Sequence, residues 1–276
     1  SFHIGNDKNK TKKAKQKNTP TNYNNNAIQN AMQLSKVNHH NLRQYDNNPE
    51  KIKTLYGSND IVKDVKEIYK QEFEEARLEY NSKQSRPSRM IDNYFDNVSN
   101  NEKKDLACEI IKEYWDTKDE NFKKKMSEVY KNQVDDLEMF VPDFKVASAI
   151  IHYDETSPHL HIVGVPIKYK NKNGMEKQVG KSDVFTKESL IRLQDKMRTL
   201  CIEEFNQVYS LESTLKQKQK GRNRDIHVSD MDNYIEMKKG IEKHQKDLEV
   251  ANNKSIELDN NSNKVKEIVD NLKPTI

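Results

Sequence analysis

The chain has 276 residues, with 48 Lys and Arg against 44 Asp and Glu, and only 33% of its residues are hydrophobic. That length allows one large domain, or one domain with an appendage, and the low apolar content predicts a modest core with long solvated helices. No run reaches the roughly 18 to 20 apolar residues of a membrane span and no signal peptide is legible, so a cytoplasmic protein is expected.

"SFHI" at the start is short and compatible with a first β-strand. It leads into "KNKTKKAKQK", residues 8–17, a basic arm or loop of the kind attracted to polyanions. "NNNAIQNAMQLSKV" reads as weak helix or loop. Residues 58–84 carry Ile61, Val65, Ile68, Phe73, Ala76, Leu78 and Tyr80 at helical spacing, with Ser58 or Asp60 as the cap. "SRPSR" breaks that helix, because Pro87 disfavours helical geometry at Arg86. A short helix resumes in "RMIDNYFDNVS", and Ile110–Ile111 tips "LACEIIKEYW" toward strand. Residues 119–140 form an amphipathic helix that ends near Pro142.

The pattern then changes. "FKVASAIIHYDE" and "HLHIVGVPIKYK" are β-rich runs joined by "TSP", which predicts an antiparallel hairpin. Asn173–Gly174 marks a turn into a third strand near residues 177–179. Thr186 opens a helix to residue 209. Residues 231–273 are polar with sparse apolar positions, which predicts a helical or weakly coiled-coil appendage. Cys108 and Cys201 fit neither a zinc pattern nor a disulfide framework and read as buried free thiols.

The hairpin carries His152, His159 and His161 in the most apolar part of the chain. Residues i and i+2 of a strand share a face. His159 and His161 are therefore expected to point together, with His152 beside them on the neighbouring strand. Three neutral imidazoles can ligate one divalent ion and leave positions open for water or a phosphate oxygen. They do not select sharply among manganese, zinc, cobalt and nickel. Asp154 and Glu155 could add a ligand, orient an imidazole or act as a base. A metal in basic surroundings points to phosphate chemistry. The upstream "NHHNLRQY" offers His39, His40 and Tyr45 as nucleophiles and Arg43 as a phosphate fork.

The stretch "HYDETSPHLH", followed by "VGVP" and preceded by "HNLR" at residues 40–43, resembles the motifs of the Mob/Pre plasmid mobilisation relaxases, the MobV type of HUH endonucleases. "EYNSKQSRPSRMIDNYFDNV" resembles a segment of one branch, with an R-x-x-R pair on Arg86 and Arg89. The resemblance spans roughly residues 35 to 210. It implies an α+β fold, an HUH-type antiparallel sheet flanked by helices, to which the pattern adds the C-terminal helical appendage. We expect a relaxase domain over residues 1–220 and a basic linker with a helical, dimer-competent extension over residues 221–276.

The resemblance also implies strand-specific nicking of single-stranded or hairpin origin-of-transfer DNA by transesterification. The metal, manganese foremost with zinc, cobalt, nickel or magnesium as alternatives, sits on His152, His159 and His161. His40 is the nucleophile, Glu155 orients it or takes its proton, and Asn41, Arg43, Arg86 and Arg89 contact DNA. Three rival readings stay open. One is a rolling-circle replication initiator using Tyr45 or a later tyrosine such as Tyr209. Another is a non-catalytic DNA-binding protein with a structural metal, and the third is a hydrolase using water.

Overall fold

The computed structural model describes residues 2–4, 27–46, 48–101, 103–113, 120–154, 158–214 and 231–271. The basic run at residues 8–17 and Glu155 lie outside them. The architecture is α+β. Its sheet is antiparallel, in the order β1 (Phe2–Ile4), β4 (Ala107–Glu113), β6 (His159–Lys168), β5 (Phe144–His152), β3 (Ile52–Tyr56). Two short strands lie off this path: β2 (Ala27–Ile28) pairs with β4, and β7 (Gln178–Val179) pairs with β6.

Strands β5 and β6 are buried along almost their whole length. Their near-continuous apolar composition follows, because a strand covered on both faces has no solvent side on which to place polar residues. One face, bearing Ile150, Val163 and Val165, packs against helices α1 (Ala31–Asn41), α2 (Ile61–Ser82) and α3 (Tyr94–Ser99). Leu34, Val65, Phe73 and Val98 are fully buried there. The opposite face, bearing Ile110, Ile151, Leu160 and Ile162, packs against α4 (Glu120–Phe140) and α6 (Lys187–Tyr209). Each large apolar side chain removed from water in this way contributes about 1.5–3 kcal/mol before ordering costs.

The helices follow their sequence signals. Ile61, Val65, Tyr69, Phe73 and Ala76 recur every three or four residues along the buried stripe of α2. The Asp60 carboxylate caps α2 by accepting from the Lys63 amide. Thr186 caps α6 by accepting from the Ser189 amide. A four-residue helix, α5 (Lys181–Val184), precedes it.

Two elements differ from expectation. Residues 31–41, read as weak helix or loop, form α1, capped by Asn30 accepting from the Gln33 amide. Strand β3 carried no signal, because its burial does not alternate: only Ile52 and Leu55 are partly covered on this sheet edge.

A second compact unit spans residues 219–276 and contains α7 (Met231–Asn271). Met237, Ile241, Leu248, Leu258 and Val265 are each at least half exposed on it. No described helix is long and apolar enough to cross a membrane.

Gly57 closes β3 at φ +87°, and a β-carbon there would lie 2.5 Å from the Ala147 carbonyl oxygen at the β5 bulge. Gly57→Ala is therefore expected to cost about 1–3 kcal/mol in denaturant unfolding, whereas the same change at Gly240, with open space around it, should be neutral or stabilising.

Candidate metal and nucleophile site

Strand register sets the first half of the site. His152 pairs directly with His159, and Ile150 with His161. Glu109 lies opposite Val163 on the other side of β6. His152, His161 and Glu109 all stand on the sheet face covered by α1. The second half is the C-terminal turn of α1, which carries His40 over this face. Asn38 fixes that helix in place, because its side-chain oxygen accepts from the Ile61 amide at the start of α2.

The imidazoles that this brings together are His40, His152 and His161, whose ligand atoms all lie within 4.8 Å of one another. The His152 and His161 ring centroids are 4.1 Å apart. His40 sits 5.4 Å from the former and 5.7 Å from the latter. This grouping differs from the expected His152–His159–His161 set. A metal bound at about 2.1 Å lies roughly 3.2 Å from each ring centroid, so two ligand rings can be up to roughly 6.4 Å apart. At 6.3 Å from His161, His159 is at the edge of that reach.

Hydrogen bonds fix the two buried rings in opposite tautomers. His152 Nε2 donates to the Asn41 carbonyl oxygen at 2.9 Å, leaving Nδ1 as its lone-pair nitrogen. His161 Nδ1 donates to Glu109 Oε1 at 2.9 Å. Its Nε2 is buried without a hydrogen-bond partner among the described residues. An orphaned buried nitrogen among converging imidazoles is what a metal ligand looks like before the metal binds. The donor set fits a divalent transition ion.

Glu109 was missed by the sequence reading. It is 4% exposed and accepts from both His161 and the Asn41 side-chain amide, the latter at 2.9 Å. Burial pushes its carboxyl up, but these bonds and the neighbouring imidazoles outweigh burial and hold it below its ordinary value. A carboxylate among apolar residues of a strand is the signal that could have found it.

Two residues expected on DNA are instead inside the protein. Asn41 is fully buried and spends its carbonyl on His152 and its amide on Glu109. Arg43 is 3% exposed; its Nη2 and Nε meet Asp154 at 2.8 and 3.0 Å, and its Nη1 donates to the His40 carbonyl at 3.0 Å. A guanidinium committed on both edges has no fork left for phosphate. Burial would raise the Asp154 carboxyl, yet the Arg43 guanidinium holds it below the usual range. By contrast Arg86 caps the turn Pro87–Arg89 and Arg89 ends it; both are exposed and pair with no carboxylate among the described residues. Tyr45 is 69% exposed beyond the end of α1. Residues 39–41 are helical rather than extended, and helix rotation brings His40 into the cluster.

Glu109→Gln should lower manganese affinity about 10- to 100-fold in calorimetry, because it removes the charge that fixes the His161 tautomer. Its folded-state carboxyl is depressed, so the group contributes stability above its unfolded value near 4.5, lost as pH falls from there through the folded value. Glu109→Gln is expected to flatten the acid limb of stability below that pH in urea unfolding.

Comparison with known proteins gives the site a context. No curated protein matches the chain. Among solved structures, the MobM relaxase domain (MOBV; Mob_Pre) bound to a 22-nucleotide oriT DNA of plasmid pMV158, a manganese-bound crystal structure at pH 5.5, is 17% identical with a TM-score of 0.46, covering 74% of this chain and 94% of that one. The same domain bound to 26-nucleotide pMV158 oriT DNA is 16% identical with a TM-score of 0.44, covering 74% and 95%. The Mob_Pre family model, described as plasmid recombination enzyme, matches residues 23–208. With well over half of its length matched to that model, the chain belongs to the Mob/Pre family of plasmid recombination enzymes.

Proposed function

We propose that the chain is a metal-dependent relaxase that nicks one strand of origin-of-transfer DNA by transesterification, for plasmid mobilisation and recombination. The observation that carries this reading is the convergence of His40, from a helix end, with His152 and His161, from the central strands. His152, His161 and His159 would hold a divalent ion, manganese foremost. When bound, that ion supplies a Lewis acid for a non-bridging oxygen of the scissile phosphate.

The residues of the chain do the rest. A ring nitrogen of His40 attacks phosphorus, a phosphorus–nitrogen bond forms, and the bond to the 3′ oxygen breaks. The 3′ oxygen leaves with the bonding electron pair and takes a proton from water to become the 3′ hydroxyl, and the 5′ phosphate stays on the enzyme. The proton displaced from His40 passes to a base, for which Glu155 is the candidate. A covalent adduct conserves the bond energy, so a 3′ hydroxyl can later reverse the step and rejoin the strand. Exposed Arg86 and Arg89 bind phosphates of the single-stranded or hairpin substrate.

One specific observation favours a second reading. His40, not His159, shares the ligand-atom cluster with His152 and His161. In that reading His40 is a ligand, and an exposed tyrosine such as Tyr45 attacks. The two separate cleanly. Single strands tiled from the DNA flanking the gene are incubated with the chain and manganese, and any adduct is mapped. We expect an acid-labile adduct, absent in His40→Ala and retained in His39→Ala and Tyr45→Phe. We expect manganese affinity to fall at least tenfold in His159→Ala and to stay within a few-fold in His40→Ala. An acid-stable adduct, or the reverse metal pattern, selects the tyrosine reading.

Arg86→Ala and Arg89→Ala are each expected to weaken single-strand binding and to reduce its salt slope by about one.

We also propose that α7 pairs with a second copy of itself. Met237, Ile241, His244, Leu248, Ala251, Ser255, Leu258, Ser262 and Val265 follow an alternating four–three spacing, the seam of a left-handed coiled coil. In a parallel pair, Lys254 faces Asp259 of the other copy. Sedimentation should give a dimer that Leu248→Asp with Leu258→Asp converts to monomer; a wild-type monomer at micromolar concentration sinks this part.

A further inference from the structure

We propose that Arg43 is a positioning residue: locked to Asp154, its guanidinium holds the last turn of α1 so that the His40 ring stays among the imidazoles. This rests on the reading of His40 as the reacting group. It departs from the role that the motif suggested, in which Arg43 meets phosphate.

Three observations carry it. The first is backbone conformation. Arg43 follows the α1 C-cap, Leu42, and sits at φ +47°. That left-handed position normally takes Gly or Asn, because a β-carbon is crowded there. The chain places its longest cation in it, and such a conformation persists only where the surroundings over-determine it.

The second is burial with full engagement. At 3% exposure, Arg43 forms a bidentate pair with Asp154 through Nε and Nη2. Planar two-bond recognition of a carboxylate fixes direction as well as distance. The third is where the pair is anchored. Asp154 lies two residues beyond His152, while Arg43 Nη1 donates to the His40 carbonyl and lies within 3.4 Å of both His40 ring nitrogens. One guanidinium therefore ties the chain bearing His40 to the strand end bearing His152. The Asn41 carbonyl on His152 is a parallel tie from the same turn. A helix end frays unless held, and His40 lies in the last two residues of α1.

The test uses the full chain with Arg43→Asn, Arg43→Lys and Asp154→Asn. Asn tolerates the left-handed backbone but lacks the fork, so folding, checked by thermal unfolding, is preserved. Lys keeps the charge but cannot bind two oxygens at once. Three quantities are read: the nuclear Overhauser effect between His40 and His152 ring protons, the salt dependence of binding to a mixed-sequence single strand, and the single-turnover nicking rate.

In Arg43→Asn and Arg43→Lys the ring contact should disappear and nicking should fall about 100-fold, the cost of a reacting group displaced by roughly an ångström. DNA affinity should stay within twofold, with an unchanged salt slope. Asp154→Asn should give the same pattern in milder form. A salt slope reduced by about one in Arg43→Asn identifies a phosphate contact and overturns the proposal. So does a His40–His152 contact retained in Arg43→Asn. If the wild type shows the contact, and loses it on substitution, but nicks no DNA, the positioning role stands and the relaxase reading fails.

Discussion

A carboxylate buried on the central sheet has to be satisfied, and the architecture of the site follows from how Glu109 is satisfied. It accepts from His161 on the neighbouring strand and from Asn41 on α1. Leaving a charged acceptor unpaired in that interior would cost several kcal/mol. The end of α1 is therefore drawn onto the sheet, and with it comes His40. The fold places a helix terminus over the strand histidines because a polar debt inside the sheet is met from that terminus.

The same economy explains the polarity of the α1 turn. Asn38, Asn41 and Arg43 are all buried, unusual for such side chains. Each is matched to a partner: the Ile61 amide, Glu109 together with His152, and Asp154. These bonds form one connected polar network, in which the Asn41 side-chain oxygen and His161 Nε2 have no hydrogen-bond partner among the described residues, and such a network in a low-dielectric interior rigidifies what it joins. Here it joins one helix end to three strands, and those elements carry every member of the imidazole cluster. The apolar packing on either side of the sheet supplies the stability. The network supplies the geometry.

The opposite tautomers of His152 and His161 have a chemical consequence. Each ring is anchored through one nitrogen, and for His161 the other, Nε2, is buried with no hydrogen-bond partner among the described residues. Rings held this way lose little entropy when an ion arrives. The exposure of His40 contrasts with the burial of the other two. This contrast suits the proposed roles, in which the reacting group has to be reachable by a large substrate and ligands need only face the ion.

While the α+β class came with the family motifs, the sequence by itself determined most helix limits, the central hairpin and the sharing of a face by His152 and His161. These are local properties: strand parity, helical spacing and caps such as Asp60 and Thr186 act over a few residues. It also determined which residues were chemically able to act. The family motifs directed attention to His40, but no local rule separated it from His39 or Tyr45. Tertiary structure decided the rest. Helix α1 has a weak apolar stripe and depends on Asn38 reaching Ile61 across 23 positions, so propensity alone left it ambiguous. Glu109 meets His161 across 52 positions and Arg43 meets Asp154 across 111. Whether an arginine turns outward to a phosphate or inward to a carboxylate depends on which acceptor the folded chain brings within 3 Å, and only the packed sheet and helix fix that.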